Sequence, residues 1–599
     1  MSNQRNIVVA VALSMLLLLG WEYAMNWVYP ERNKPVAEQA AAPAKGADPT
    51  VAKRTREGGL QDAGDIAAEQ RELAADLKSP ARVKIQARSL TGSINLHGAL
   101  IDDLTLNDFR QTVEKDSGPV RMFSPLRTPA QHFAQFGWAP GAAGQMPNAD
   151  TLWQADGTVL TPKTPVTLRW ANGQGQTFAI RFAIDDDYLI TATQTVANTG
   201  AGPIIAKPFA LINRTDRTAS TDTWNVHSGP IGAFDGSVDF GNNYKDVAKA
   251  GTISPSGRAD WIGFTDIYWL SALVPDARGK PDSDFRSLGN GLYRADLIYQ
   301  PDTVPAGKQI TRTTRLFAGA KESAVLDRYE AEGISNFGLA IDWGWFRWFE
   351  RPIFLLLDKL FGLVGNFGVA IILLTVIIRG IMFPIAQKQF SSMAGMRAIQ
   401  PKMKALQERY KDDKAKQQQE IMALYKKEGV NPLAGCLPIL IQIPIFFALY
   451  KVLILTIEMR HQPFVLWIKD LSAPDPLHIL NLFGALPYDV PGFLAIGPLA
   501  LLLGVTMWLQ FRLNPAAMDP IQQQMFALMP WVMMFVMAPF AAGLLLYWIT
   551  SNVLTIAQQT YLYSRHPQLK EQAAKDKADM AAKTAREKAE KAASKEAGK

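Results

Sequence analysis

The chain is poor in the residues from which reactive and metal-binding sites are built. Cys436 is its one cysteine, so no intrachain disulfide can form, and the long middle region must hold itself together by burial alone. Histidine occurs six times in 599 residues, and His97, His132 and His227 of the middle region show no metal-ligand spacing. There is no Gly-Lys-Ser/Thr phosphate loop, no serine–histidine signature and no zinc motif. The sequence thus shows no means of spending ATP or cleaving a peptide, and no cofactor, metal or enzymatic activity is expected. Net charge is modest at +7. The mean hydropathy of -0.02 averages over two very different materials. Apolar residues concentrate near the N-terminus and after residue 350, while the middle has the composition of an ordinary soluble domain.

Six segments are apolar enough to be read as membrane spans: Ile7–Val28, Phe361–Phe383, Leu433–Ile457, Phe493–Phe511, Gln524–Met537 and Pro539–Tyr561. The fifth is short, with Pro530 inside it. Positive charge in the loops orients them. The loop 384–432 carries ten Lys/Arg and the tail from 563 another ten, whereas 459–492 carries only Arg460 and Lys469. This predicts a multi-pass membrane protein with both termini in the cytoplasm and residues of about 29–350 exported, which in a bacterial cell places them in the periplasm, outside the inner membrane. The first segment resembles a signal sequence. No small-x-small cleavage site follows it, and Trp21, Tyr23, Trp27 and Tyr29 are placed like an interfacial belt, so residues 1–30 are expected to form an uncleaved anchor.

Residues 31–80, rich in Ala, Pro and charge, are expected to be a flexible linker. Residues 81–333 read as β structure. Phe178, Ile180, Phe182 and Ile184 alternate, Asp185–Asp187 turn, Tyr188, Ile190 and Ala192 resume, and Asn172-Gly173 signals a hairpin. An antiparallel sandwich follows. Residues 334–360 read as an amphipathic interfacial helix rich in Trp. The polar stretch 385–428 repeats Met393, Met396, Ile399, Met403, Leu406 and Tyr410 at three or four residues. It breaks at Asp412-Asp413 and resumes at Ile421, Leu424 and Tyr425, as a cytoplasmic helical hairpin with a kink at Pro401 would. The tail 566–599 is basic and suits acidic partners such as RNA or anionic lipid.

One full charge lies inside a span. Arg379 costs roughly 2.5–3.5 kcal/mol at a helix centre on insertion scales, so it is expected to face a bundle interior, unless it snorkels to the nearby interface. Thr375 lies one turn away on the same face. Other spans carry polar stripes of their own: Gln442; Thr506 and Gln510; and Tyr547, Ser551, Thr555 and Gln558–Gln559. Stripes converging on Arg379 would line a polar groove. Met525, Met529 and Met533 recur at four residues, an adaptable apolar surface. Two readings remain open on these residues: a small-solute transporter using that cavity, and a periplasmic binding protein merely anchored by its spans.

The blocks NPLAGCLPILIQIPIFFALY (Asn431–Tyr450), LLTVIIRGIMFPI around Arg379, MRAIQPKMKALQERY, DPIQQQMFALMP and GLLLYWITSN closely resemble the YidC-type membrane protein insertases of the Oxa family. GSINLHGALIDDLTL (Gly92–Leu106) is similar to the periplasmic domain of its Gram-negative members. The resemblance implies a multidomain membrane protein: a helical core at 361–565, five of the six spans forming the insertase bundle, plus an all-β supersandwich in the periplasm. It implies a hydrophilic groove around Arg379, closed to the outside, that attracts polar substrate residues. The substrate's apolar part would slide along the third and fifth spans, where Ile439 and Phe446 join the methionines. Tyr547-Trp548 stands where many members have two tyrosines. The partners implied are nascent membrane proteins, the ribosome, the signal recognition particle and its receptor, the Sec translocon and the bilayer, but not DNA.

Overall fold

The computed structural model describes residues 54–565, apart from 115, 141–144, 223–225, 277–278, 345, 412, 430–436, 487, 489, 491–493 and 514–519. The expected anchor at 1–30, residues 31–53 of the expected linker, the tail from 566, Asp412 and Cys436 lie outside the described residues.

The first described helix contradicts the linker reading for its own stretch. Residues 63–76 form a helix, α1 (Ala63–Asp76), whose N-terminal amides at Gly64 and Asp65 are accepted by the Asp62 side chain. Glu69 accepts the Ala130 amide at 2.9 Å and Arg217 pairs with Asp65 at 3.1 Å, so α1 is laid on the β domain. These partners lie far away in sequence, which is why local composition suggested a tether.

The β domain consists of a ten-stranded and a nine-stranded sheet, joined by a small two-stranded one. The alternating segments read from the sequence are the strands Gln176–Ile184 and Leu189–Asn198, paired antiparallel with Ile190 opposite Ile184. Asn172 and Gly173 turn the chain between Val166–Ala171 and Gln176–Ile184, with Gly173 at φ 72°. Apolar faces of the two sheets meet: Phe136 lies edge-on to Phe182 with centroids 5.8 Å apart, and Trp138 to Phe178 at 5.0 Å. Two helices belong to this domain, α2 (Tyr244–Ala250) and α3 (Ser323–Ala331). The domain also extends past the expected boundary at 333, because Ile334, Phe337, Ala340, Ile341 and Trp343 are all buried with its core.

The helical part follows. α4 (Arg347–Val364) buries Ile353, Phe354, Leu357 and Leu360 on one face and leaves Trp348 72% and Leu363 80% exposed. It ends at Gly365, in the left-handed region at φ 67°. Asn366 then accepts the Val369 amide at 3.1 Å and starts α5 (Phe367–Ala398). The helix expected as the second span therefore begins at 367, and residues 361–364 finish the preceding helix. Beyond α5 lie α6 (Gln400–Arg409), α7 (Lys414–Lys427), α8 (Leu437–Leu455), α9 (Pro498–Leu513), α10 (Pro520–Met537) and α11 (Ala542–Arg565). Among the described residues one stretch, Phe367–Gln387, is long and apolar enough to span by itself; Gln442–Leu455, Pro498–Arg512 and Ala527–Met537 are shorter apolar helices. α11 packs against α5, α8 and α9. Gly543 permits that approach: a Cβ there would stand 2.9 Å from Leu453 and 3.2 Å from Ile371.

Candidate functional site in the helical bundle

α5 continues unbroken through Pro384, so Arg379 sits well inside a helix rather than at its end. Its guanidinium reaches across to α11 and donates to Ser551 Oγ from both Nε, at 3.1 Å, and Nη2. Gln558, two turns further along α11, reaches the Arg379 carbonyl at 3.5 Å. Arg379, Ser551 and Gln558 thus come together as their spacing suggested. Tyr547, one turn before Ser551, is buried, and its hydroxyl accepts from Gln442 Nε2 on α8. This couples α8 to the same face of α11.

Thr375 does not join them. Its hydroxyl is buried and donates back to the Ile371 carbonyl at 2.6 Å, a bond within its own helix. Thr506 donates to the Leu503 carbonyl and accepts from Asn552 at 3.1 Å. Asn552 was missed by the sequence reading; its place beside Ser551 was the available signal. Gln510 is half-buried on α9, one turn beyond Thr506. Among the described residues no carboxylate pairs with Arg379, whose side-chain bonds end on a neutral hydroxyl.

The apolar surface is partly assembled. Phe446 of α8 meets Trp548 of α11 edge-on at 5.2 Å. Met529 and Met533 are half-buried against the core, while Met534 and Met537 fill it. The side chains of Ile439 and Met525 lie outside the described residues.

The hairpin is present as α6 and α7. The helix breaks at Ile399, with Pro401 at the start of α6. Tyr425 donates to Met403 Sδ at 3.1 Å, Lys402 pairs with Glu428 at 2.7 Å and Lys416 lies over the Tyr410 ring at 5.6 Å. Asp413 caps α7 through the Lys416 amide at 3.0 Å. The side chains of Met396 and Pro401 lie outside the described residues.

A second cluster, unforeseen from the sequence, joins the β domain to the bundle. Arg460 follows α8, with its side chain almost fully buried. It pairs with Glu57 at 2.5 Å, donates to the carbonyls of Arg110 and Gln111, and lies 5.4 Å from the Trp269 ring centroid. Arg56 donates to Tyr268 Oη at 2.6 Å and to Ser472 Oγ at 2.9 Å. Arg460 is buried but Glu57 stays about a third exposed, so removing the arginine chiefly forfeits its hydrogen bonds and ring contacts, about 1–3 kcal/mol, or tenfold and upward in the opening equilibrium. Arg460→Ala is expected to expose 54–62 to proteinase K at a correspondingly faster rate; unchanged cleavage would refute the clasp.

Glu458 beside it accepts the Ser323 amide at 2.9 Å, at the start of α3. Burial first, then the nearby Glu322 and Asp358, push its carboxyl up to about 7 from the usual 4.5. A carboxyl raised on folding contributes stability that is complete below about 4.5 and is lost as pH rises through about 7. Seating of the β domain should therefore be firmer at pH 5.5 than at pH 8 in the native chain, with Glu458→Gln showing a smaller difference, because Glu350, also raised to about 7 by burial, still titrates there. Protease protection of the two proteins, compared at each pH, checks this.

The family model described as "60Kd inner membrane protein" matches residues 359–572, and the "YidC periplasmic domain" model matches 82–356. The membrane protein insertase YidC of Zymomonas mobilis is 45% identical over 575 residues, covering 94% of this chain and 96% of the relative. That of Nitrobacter hamburgensis is 43% identical over 588 residues, covering 94% and 96%. The chain belongs to the YidC family of membrane protein insertases. YidC proteins are inner-membrane insertases, not enzymes, and the β domain described above is the YidC periplasmic domain. A solved structure of an active YidC insertase matches at 18% identity and a TM-score of 0.35, covering 80% of this chain and 92% of that one. Likeness at that level adds nothing to the assignment.

Proposed function

We propose that this chain inserts nascent membrane proteins into the inner membrane and helps them fold, alone or with the Sec translocon, by drawing polar segments into a groove around Arg379. The observation that carries this reading is a guanidinium inside an apolar bundle whose side-chain bonds end on Ser551. A cation held by a neutral hydroxyl keeps most of its field for a substrate's acidic residue. The half-buried Phe446, Met529, Met533 and Trp548 beside it offer the apolar part of that substrate a yielding surface.

In this reading the chain crosses the membrane six times with both termini in the cytoplasm, and the two large sheets form a supersandwich in the periplasm. The hairpin α6–α7 receives ribosome-bound or signal-recognition-particle-delivered substrates. No nucleotide is hydrolysed, because the membrane potential supplies about 2.3 kcal/mol per acidic charge per 100 mV. The test is reconstitution into liposomes free of other proteins, with a single-span substrate bearing a short acidic tail. Potential-dependent protection of that tail is expected. Solute flux without insertion would point instead to a transporter, and neither activity to an anchored binding protein.

A further inference from the structure

Between α8 and α9, on the side of the bundle where the β domain is seated, the chain runs Pro476-Leu-His-Ile-Leu-Asn-Leu-Phe-Gly-Ala-Leu-Pro-Tyr488. This stretch contains no Lys, Arg, Asp or Glu. Leu480, Leu482, Phe483, Leu486 and Tyr488 are all exposed, with Leu482 at 59% and Phe483 at 53%. A loop of ordinary water-facing chemistry does not gather five such side chains on its outside.

Two further observations concern the backbone. Leu482 and Phe483 both adopt left-handed conformations, at φ 50° and 60°. Glycine or asparagine would hold that turn without the cost of about 1–2 kcal/mol that a larger side chain incurs. The backbone amides of residues 482–486 are also satisfied within the turn. The His478 carbonyl accepts the Phe483 amide at 2.8 Å, the Asn481 carbonyl accepts that of Leu486 at 3.1 Å, and Asn481 Oδ1 accepts that of Gly484 at 3.0 Å. The Tyr488 hydroxyl donates to the Leu480 carbonyl. Internal satisfaction of this kind is what a segment needs to leave water.

The base of the loop is rigid. The Ile496 carbonyl accepts the Ile479 amide at 3.0 Å. The Asp475 carboxylate accepts the Leu499 amide at 3.0 Å at the start of α9, together with the Trp467 indole at 3.0 Å. α9 itself leaves Leu501, Leu502, Val505 and Leu509 exposed, the stripe that faces lipid in a membrane helix. The Ile479–Ile496 and Asp475–Leu499 bonds tie the loop to the start of the helix that carries that stripe.

We propose that residues 480–486 form a wedge that inserts into the outer leaflet of the bilayer and fixes the depth of the bundle from the β-domain side. This rests on the reading of the bundle as membrane-embedded, and the occupant of the patch is lipid. The test uses the full chain with Cys436→Ser and a single new cysteine, at Phe483→Cys or separately at Leu486→Cys. Each is labelled with the environment-sensitive fluorophore NBD in phosphatidylethanolamine–phosphatidylglycerol vesicles. Lys163→Cys, on an exposed turn of the β domain, is the aqueous reference, and Val505→Cys on α9 reports that the bundle itself is embedded. At 483 and 486, blue-shifted emission is expected, with strong quenching by acyl-chain nitroxide lipid. Quenching by iodide loaded on both sides should be several-fold weaker than at 163. Iodide quenching equal to that at 163 would overturn the wedge while 505 remains lipid-quenched. Shielding from both quenchers would overturn it too, because the patch would then be covered by protein.

Discussion

Arg379→Ala is expected to cut insertion of a substrate with an acidic translocated tail at least tenfold while leaving a neutral-tailed one near the native rate. Two unit charges about 4 Å apart at an effective dielectric of about 20 attract by roughly 4 kcal/mol. The substrate must shed part of its hydration to reach the arginine, and about 1.4 kcal/mol of net gain already gives a factor of ten. Arg379→Lys should retain most activity, since it keeps the charge and loses the planar fork. Arg379→Glu should fail most severely, by repelling the tail. Ser551→Ala separates the field from the bonding: it removes the hydroxyl that both Nε and Nη2 use and leaves the charge in place. Its effect should be small beside that of Arg379→Ala. Paired insertion assays on acidic and neutral tails decide the matter. If Arg379→Ala inserts both at the native rate, the arginine is an interfacial charge without a role in the groove.

Arg379 was legible in the sequence because a full charge within an apolar helix is expensive wherever it points, so its presence is informative without coordinates. Ser551 and Gln558 were legible as members of one helical stripe. Thr375 shows where that logic stops. Spacing places it on the face of Arg379, but a helical threonine can return its hydroxyl to its own backbone, as it does with Ile371. The strands at 176–198 were readable because one face is buried and the other is not, which imposes a period of two. The start of the second span was misplaced by six residues. Its apolar run passes through Gly365-Asn366 without interruption in hydropathy, and only the left-handed glycine and the Asn366 cap divide it.

The clasp of Arg56 and Arg460 was not legible at all. Arg56 meets Ser472 across 416 residues of sequence and Tyr268 across 212. No window of local composition contains both ends of such a bond. Arg460 carried a weak signal, as one of two cations in an otherwise cation-poor segment, and that segment served only to orient the spans. The consequence is physical. The β domain is seated on the bundle through charges and rings, so displacing it would uncover buried arginines rather than simply lengthen a tether.

Removal of the hairpin is expected to abolish insertion while leaving the protein stable in the membrane. The cut belongs at 400–427, because α5 runs without interruption to Ala398 and an earlier cut would shorten the helix that carries Arg379. Met403, Leu406, Tyr410, Ile421, Leu424 and Tyr425 form the apolar seam of the hairpin, and each remains half-buried. Its arms are held by Tyr425 on Met403, Lys402 on Glu428 and the Gln417 side chain on the Gln407 carbonyl at 2.7 Å. None of these bonds reaches the bundle, so their loss leaves no buried group there unpaired and should cost the core little stability. What is lost is a charged projection with a partly open apolar seam, which in the proposed function meets a ribosome or an emerging segment before it reaches the groove. A chain with 400–427 replaced by a short Gly-Ser linker should accumulate in the inner membrane at normal levels yet fail to support growth when the native copy is depleted. Full complementation by that chain would mean that substrates enter the groove without the hairpin.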